Sequence, residues 1–230
     1  MGSPYYQFCP VSKAMELLDE RWTILVIREL LIGSERFNDL RRGLTRMSPT
    51  LLSRRLQQLE RAGLVERRVD DRDVRYTLTE AGRELEPVVA AVGAWGARWV
   101  AELADQDLDP KFLMWDMHRN VDLGAIPSGR TVMKFRFPEA PQGRRDWWLV
   151  VAQAETDVCD FDPGFEVAVT ITASLRDLTA VWRGDLAWSA AMRSGSIDVV
   201  GPEELRRAVT GWFTDANSAG IPISEPRLVG

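Results

Sequence analysis

Between Arg36 and Arg75 the sequence carries eleven basic residues against six acidic ones, and all eleven are arginine. A guanidinium is a rigid fork of donors that engages a phosphate, or the O6/N7 edge of guanine, through two hydrogen bonds at once; a lysine ammonium does not. The densest stretch is SPTLLSRRLQQLERAGLVERR, Ser48 to Arg68. On a helical wheel of about 100° per residue, Leu52, Leu56 and Leu59 gather on one face. Thr50, Arg54, Gln57 and Arg61 fall opposite them, with Ser53 and Arg55 on the flanks. Such a helix, laid in a major groove, would aim Arg54 at guanine and bring Thr50, Ser53, Arg55 and Gln57 to bases or phosphates. Arg41, Arg42 and Arg46 stand ahead of it as phosphate grips, and Arg67, Arg68, Arg72 and Arg75 follow it. Arg72 is placed for a minor groove or the backbone. The competing reading is an amphipathic helix whose charges simply face water.

The elements that must hold these residues decide between the two. Val11, Ala14, Met15, Leu17 and Leu18 recur at helical spacing, and Ile24 to Leu31 form a second, more buried run stopped by Gly33. Arg36 to Leu44 gives a short third helix. Ser48 is a suitable N-cap for the fourth, Pro49 fits the first helical position, and Gly63 ends it. LVERRV and VRYTLT, around the polar tip Asp70 to Asp73, read as a β-hairpin. A long apolar helix then runs from Thr79 to Leu103, bent or split at Pro87. Helices followed by a polar-faced helix and a basic hairpin make a winged helix-turn-helix, whose ligand is double-stranded DNA.

The whole chain bounds what else is present. With 230 residues and 45% apolar content it can hold two cored domains. Net charge is −5, but residues 1–104 carry 16 basic against 15 acidic groups, so the negative balance belongs to the remainder. No run approaches a membrane span and no secretory leader is visible, so a cytoplasmic, membrane-free protein is expected. Cys9 and Cys159 lie far apart, which argues against a disulfide framework or a zinc site. A single histidine, His118, is expected at a surface or domain contact. No nucleophile motif, phosphate loop or metal spacing appears, so no catalytic residue, metal or cofactor is assigned, and an enzyme is not expected.

The second half has a different texture. DQDLDP opens an acidic linker, placing boundaries at 1–104, a linker and connecting helix over 105–128, and 129–230. Thr131 to Phe137, Trp147 to Gln153 and Phe165 to Ala173 are strand-like runs, the first and third reading as half-buried antiparallel strands, followed by helices at Ser174 to Trp182 and Asp185 to Arg193. A strand at Ser196 to Val200 and a helix from Pro202 to Phe213 complete an α+β domain.

Two resemblances sharpen these readings. CPVSKAMELLDERWTILVIRELL, RFNDL, LQQLERAGLVERR and YTLTEAGRELEPVV resemble the HxlR-type transcriptional regulators over about residues 9–99. That resemblance implies a homodimer on a pseudo-palindromic operator. It also implies, for some members, a redox-responsive cysteine where Cys9 stands. DDRDVRY replaces the proline-containing wing tip common in that family, which puts wing contacts in question. VAVTITASLRDLTAVWRGDLAWSAAMRSGSIDVVG is similar to sterol-carrier-protein-type domains, over about residues 131–213. It implies an apolar ligand between sheet and helices, with Phe135, Phe165, Trp182, Trp188 and Met192 as candidate lining. The expected function is a DNA-binding regulator modulated by such a ligand. The alternative is a carrier of lipid or small apolar molecules whose winged-helix domain serves dimerisation or protein contact.

Overall fold

The computed structural model describes residues 4–71, 73–100, 102–153 and 155–214. The chain divides into two compact units, with the division after Gly93. In the amino-terminal unit, α1 (Pro10–Leu18), α2 (Thr23–Leu31), α3 (Phe37–Gly43) and α4 (Pro49–Arg61) precede a hairpin of β1 (Val65–Asp70) and β2 (Asp73–Leu78). The expected long helix is two: α5 (Glu80–Arg83) is one turn, and α6 (Glu86–Trp99) begins beside Pro87. Pro87 lacks the N–H that an uninterrupted helix would require there, so the break falls at the first turn of α6. Val26, Ile27, Leu30, Leu40, Leu52, Leu56, Leu59, Val65 and Leu78 form the core under α4 and the hairpin. α2 and α4 each bury one stripe and leave the polar stripe outward, as the 3.6-residue period requires, whereas α1, expected as a core helix, has no fully buried side chain.

Within that core lies a polar cluster. Glu29 is wholly buried. Its carboxylate accepts hydrogen bonds from Arg28 Nη2 (2.6 Å) and Ser34 Oγ (3.2 Å). Arg28 Nη2 also reaches the Gly43 carbonyl at 3.5 Å, tying α2 to the end of α3. Gly43 is glycine because a Cβ there would overlap the Glu29 carboxylate.

The carboxy-terminal unit holds α7 (Pro110–Arg119), β3 (Thr131–Arg136), β4 (Asp146–Ala152), β5 (Glu155–Cys159) and β6 (Val169–Ala173). It continues with α8 (Leu175–Trp182), α9 (Trp188–Ser194), β7 (Ile197–Val200) and α10 (Glu203–Ala208). The sheet order is β5-β4-β3-β6-β7. The antiparallel sheet expected from the sequence is corrected here, because β3 pairs β6 in parallel, with Met133 opposite Val169 and Phe135 opposite Ile171. The other three pairings are antiparallel. Parallel partners need a long crossover, and the segment between Arg136 and Val169, which contains β4 and β5, supplies it. As middle strand, β3 is buried on nearly every side chain, so its Lys134 is half-buried against Trp148 rather than solvated. His118 is half-buried: its Nε2 lies 2.8 Å from the Thr156 carbonyl and its ring stacks on Trp115. No helix among the described residues is long and apolar enough to cross a membrane.

Candidate nucleic-acid interface

The geometry of α4 follows from its ends. Ser48 Oγ accepts the Leu51 N–H at 3.3 Å, and Pro49 takes a position where a missing N–H costs nothing. At the other end Gly63 adopts φ 71°, which lets Leu64 N–H reach the Leu59 carbonyl at 3.0 Å and turns the chain into β1. Between these caps Leu52, Leu56 and Leu59 are buried, Thr50, Arg54, Gln57 and Arg61 are exposed, and Ser53 is half-buried. Burial of the leucine face thus fixes which side chains point outward.

Arg55 departs from its expected role. It is 5% exposed. Its guanidinium donates to the Arg21 carbonyl at 3.0 Å and to Gln58 Oε1 at 2.6 Å, and pairs with Glu20 at 2.9 Å. The sequence wheel put it on a flank. The partners that draw it inward sit in the turn between α1 and α2, which no local spacing reveals. Arg55 is therefore removed from the set of side chains that present themselves to a duplex. The same bond holds the Glu20 carboxyl below its ordinary pKa.

Of the flanking arginines, Arg41 and Arg46 are exposed and Arg42 is half-buried, all at or just beyond the end of α3. Arg67 and Arg68 are exposed on β1, but Arg68 pairs with Glu66 at 3.0 Å, which offsets its charge. Arg72 lies outside the described residues.

The hairpin is clamped to the start of α3 by charges the sequence reading did not single out. Asp73 accepts from Arg36 Nε (3.0 Å) and Nη2 (3.1 Å), and from Arg75 Nε at 2.8 Å. Arg75 also reaches Glu35 at 3.2 Å, and the Tyr76 N–H donates to the Glu35 carbonyl at 2.8 Å. Arg75 thus serves the fold rather than a ligand. Hydrogen bonds from Arg36 and Arg75 lower the Asp73 pKa from 3.8 to about 2. A depressed carboxylate contributes stability above its unfolded pKa and loses it as pH falls through the folded one. Acid denaturation between about pH 4 and pH 2 should therefore be shallower in Asp73→Asn than in the parent, read by circular dichroism in a pH series. Parallel acid limbs would show that the clamp does not persist in solution.

At the amino end, Cys9 is the N-cap of α1 and half-buried. The N–H groups of Ser12 and Val11 point at its sulfur and lower the thiol pKa. Helix N-termini favour thiolate in this way.

In the carboxy-terminal unit, three of the five expected lining residues meet around one ring that was not singled out. Phe135 and Trp182 make edge contacts with Phe213, at 6.4 and 6.0 Å between centroids, and Trp188 stacks on it at 6.3 Å. Phe213 is held there by the pairing of 212–214 with 120–122, including Asp122 N–H to the Trp212 carbonyl at 2.8 Å. Met192 packs partly buried against the same core. Phe165 stands apart, 40% exposed beneath the Arg130 guanidinium at 4.0 Å, because β6 starts only at Val169 and leaves Phe165 in the preceding loop. Among the described residues no cluster of His, Cys, Asp and Glu is arranged to hold a metal ion.

Residues 17–104 match a family model described as HxlR-like helix-turn-helix. Over 111 residues the chain is 34% identical to the uncharacterized HTH-type transcriptional regulator YvaP of Bacillus subtilis (strain 168), a match covering 46% of this chain and 95% of that protein. It is 39% identical over 97 residues to the uncharacterized HTH-type transcriptional regulator sll1512 of Synechocystis, covering 41% of this chain and 72% of the relative. Among solved structures, the reduced form of the transcriptional regulator YodB from B. subtilis shares 35% identity. That match covers 40% of this chain and 95% of the other, with a TM-score of 0.36.

Proposed function

The chain belongs to the HxlR-like helix-turn-helix family, and from that premise we propose that it is a transcriptional regulator that binds double-stranded DNA in sequence-specific fashion through α4. One observation carries this reading. The capped helix presents Thr50, Arg54 and Gln57 to solvent, with Ser53 beside them, on the side opposite its buried leucines. Arg54 is the residue for bidentate recognition of guanine, and Arg41, Arg42 and Arg46 are the phosphate grips.

The regulator works as a homodimer in the cytoplasm, on an operator with two related half-sites. Large exposed apolar side chains of the amino-terminal unit support an association surface: Phe8 and Tyr6 ahead of α1, Val11 on it, and Val88 and Val92 on α6. The carboxy-terminal unit is the sensing part, taking a small apolar ligand, as the resemblance to sterol-carrier-type domains implies. Phe213 and Trp188, stacked and partly exposed over the buried Phe135 and Trp182, are the aromatic side chains there that support this reading. Native mass spectrometry of freshly purified protein tests it: extra mass released on denaturation is expected, and a clean apo mass counts against the ligand.

Selection of duplexes from a random library, followed by binding assays, tests the DNA reading. Arg54→Ala should weaken the selected duplex by roughly ten- to a hundredfold, the worth of about 1 to 3 kcal/mol for one bidentate contact. No enrichment, or enrichment indifferent to Arg54, would overturn it.

Cys9 is the redox element of the same proposal, supported by its lowered thiol pKa. Near neutral pH, iodoacetamide should label Cys9 faster than free cysteine, as followed by peptide mass spectrometry. Labelling no faster than the free amino acid would remove the support.

A further inference from the structure

Among the described residues Arg55 is the one buried arginine, and besides Gln58 on its own helix it has partners in a different part of the unit. Two of its acceptors, the Arg21 carbonyl and the Glu20 carboxylate, stand on the turn between α1 and α2. That turn is held in an uncommon shape: Trp22 adopts φ 80° and ψ −14°, a left-handed conformation that bulky side chains disfavour. Thr23 N–H closes onto the Glu20 carbonyl at 3.0 Å, and Tyr5 Oη donates to Asp19 Oδ2 at 2.9 Å beside it. A small space of about 10 Å³ adjoins Arg55, lined by Glu20, Thr23 and Gln58 together with the apolar Leu17 and Leu59.

Leucine packing alone leaves a helix some freedom to rotate, since apolar contact is non-directional. A buried guanidinium does not, because turning it away from its carboxylate leaves an unpaired charge inside the protein. The consequence reaches the outward row. A rotation of about 10° at a side-chain radius of about 6 Å shifts an outward tip by about 1 Å. That displacement is enough to spoil a two-bond contact.

We infer that Arg55 is a positioning residue: locked to the α1–α2 turn through Glu20 and the Arg21 carbonyl, it sets the rotation of α4 about its axis and so aims Thr50, Ser53, Arg54 and Gln57. This rests on the reading of α4 as the DNA-reading helix. The turn thereby becomes a specificity element although it touches no base.

The experiment measures fluorescence anisotropy of the wild type, Arg54→Ala, Glu20→Gln, Arg55→Gln and the Glu20→Gln/Arg55→Gln double variant. Each is titrated with the duplex enriched by the wild type and with a scrambled duplex, across a salt series. Glu20→Gln and Arg55→Gln should each weaken the enriched duplex about tenfold, the worth of one charge-assisted hydrogen bond. Both should leave scrambled binding and the salt slope unchanged. The double variant should lose no more than the worse single. A salt slope shallower by about 0.9 in Arg55→Gln would mark a phosphate contact and overturn the inference. Additive losses, or unchanged discrimination in both singles, would overturn it too. Should Arg55→Gln unfold, as circular dichroism would reveal, Glu20→Gln at the more exposed partner decides alone. No enrichment by the wild type overturns the DNA reading and the lock with it. An enriched duplex that depends on Arg54 but ignores Glu20 and Arg55 overturns the lock only.

Discussion

Gly43→Ala is expected to destabilise the amino-terminal unit by on the order of 3 kcal/mol, more than a one-carbon addition at a helix end normally costs. The new Cβ would occupy the position of the Glu29 carboxylate, which is wholly buried and held by Arg28 and Ser34. Moving that carboxylate strips a buried charge of its partners. A double-mutant cycle isolates the cause. In a Glu29→Ala background the carboxylate is gone, so Gly43→Ala should add little further loss in urea denaturation followed by far-ultraviolet circular dichroism. Equal costs in both backgrounds would show that the clash is not with Glu29.

Phe135→Ala should produce a comparable loss in the other unit, about 3 to 5 kcal/mol, because the ring is fully buried at the middle strand of the sheet. Six of the nine tryptophans lie after residue 104, so intrinsic fluorescence reports mainly on that unit during denaturation. Phe135→Leu, which keeps most of the volume, should cost clearly less. A loss below about 1 kcal/mol for the alanine variant would mean that the neighbouring rings collapse into the cavity.

These two sites show which kinds of information a sequence carries on its face. The limits of α4 were legible to within a residue, since Ser48 and Gly63 bond to neighbours three positions away and Pro49 stands where no N–H is needed. Its outward row was legible for the same reason: the leucines that turn inward repeat along one stripe. Arg55 was not, because its fate depends on Glu20 and Arg21, more than thirty residues earlier in the chain. The Arg36–Asp73 clamp escaped for the same reason, and the aspartates of the hairpin tip read only as a crowd of negative charge.

In the carboxy-terminal unit, apolar alternation marked β3 and β6, and strand-like runs marked β4 and β7, but none of these said which strands pair. β5, with the sequence ETDVC, is an edge strand of polar character and was missed. The direction of β6 relative to β3 is set by the crossover between them, a property of the chain path and not of either strand. Likewise Phe135, Trp182 and Trp188 were recognisable as bulky apolar residues, while their common neighbour Phe213 is brought in by a backbone pairing with residues 120–122.

The parallel pairing of β3 with β6 also governs how the unit can be made. As the chain leaves the ribosome, β3, β4 and β5 are available to pair well before Val169 emerges, and until then β3 is an edge. It is an edge with buried side chains on both faces and an unpaired row of backbone donors and acceptors, the features that recruit strands from other molecules. A chain truncated just before Val169 should therefore aggregate during synthesis, whereas one that includes β6 and β7 closes its own most adhesive border.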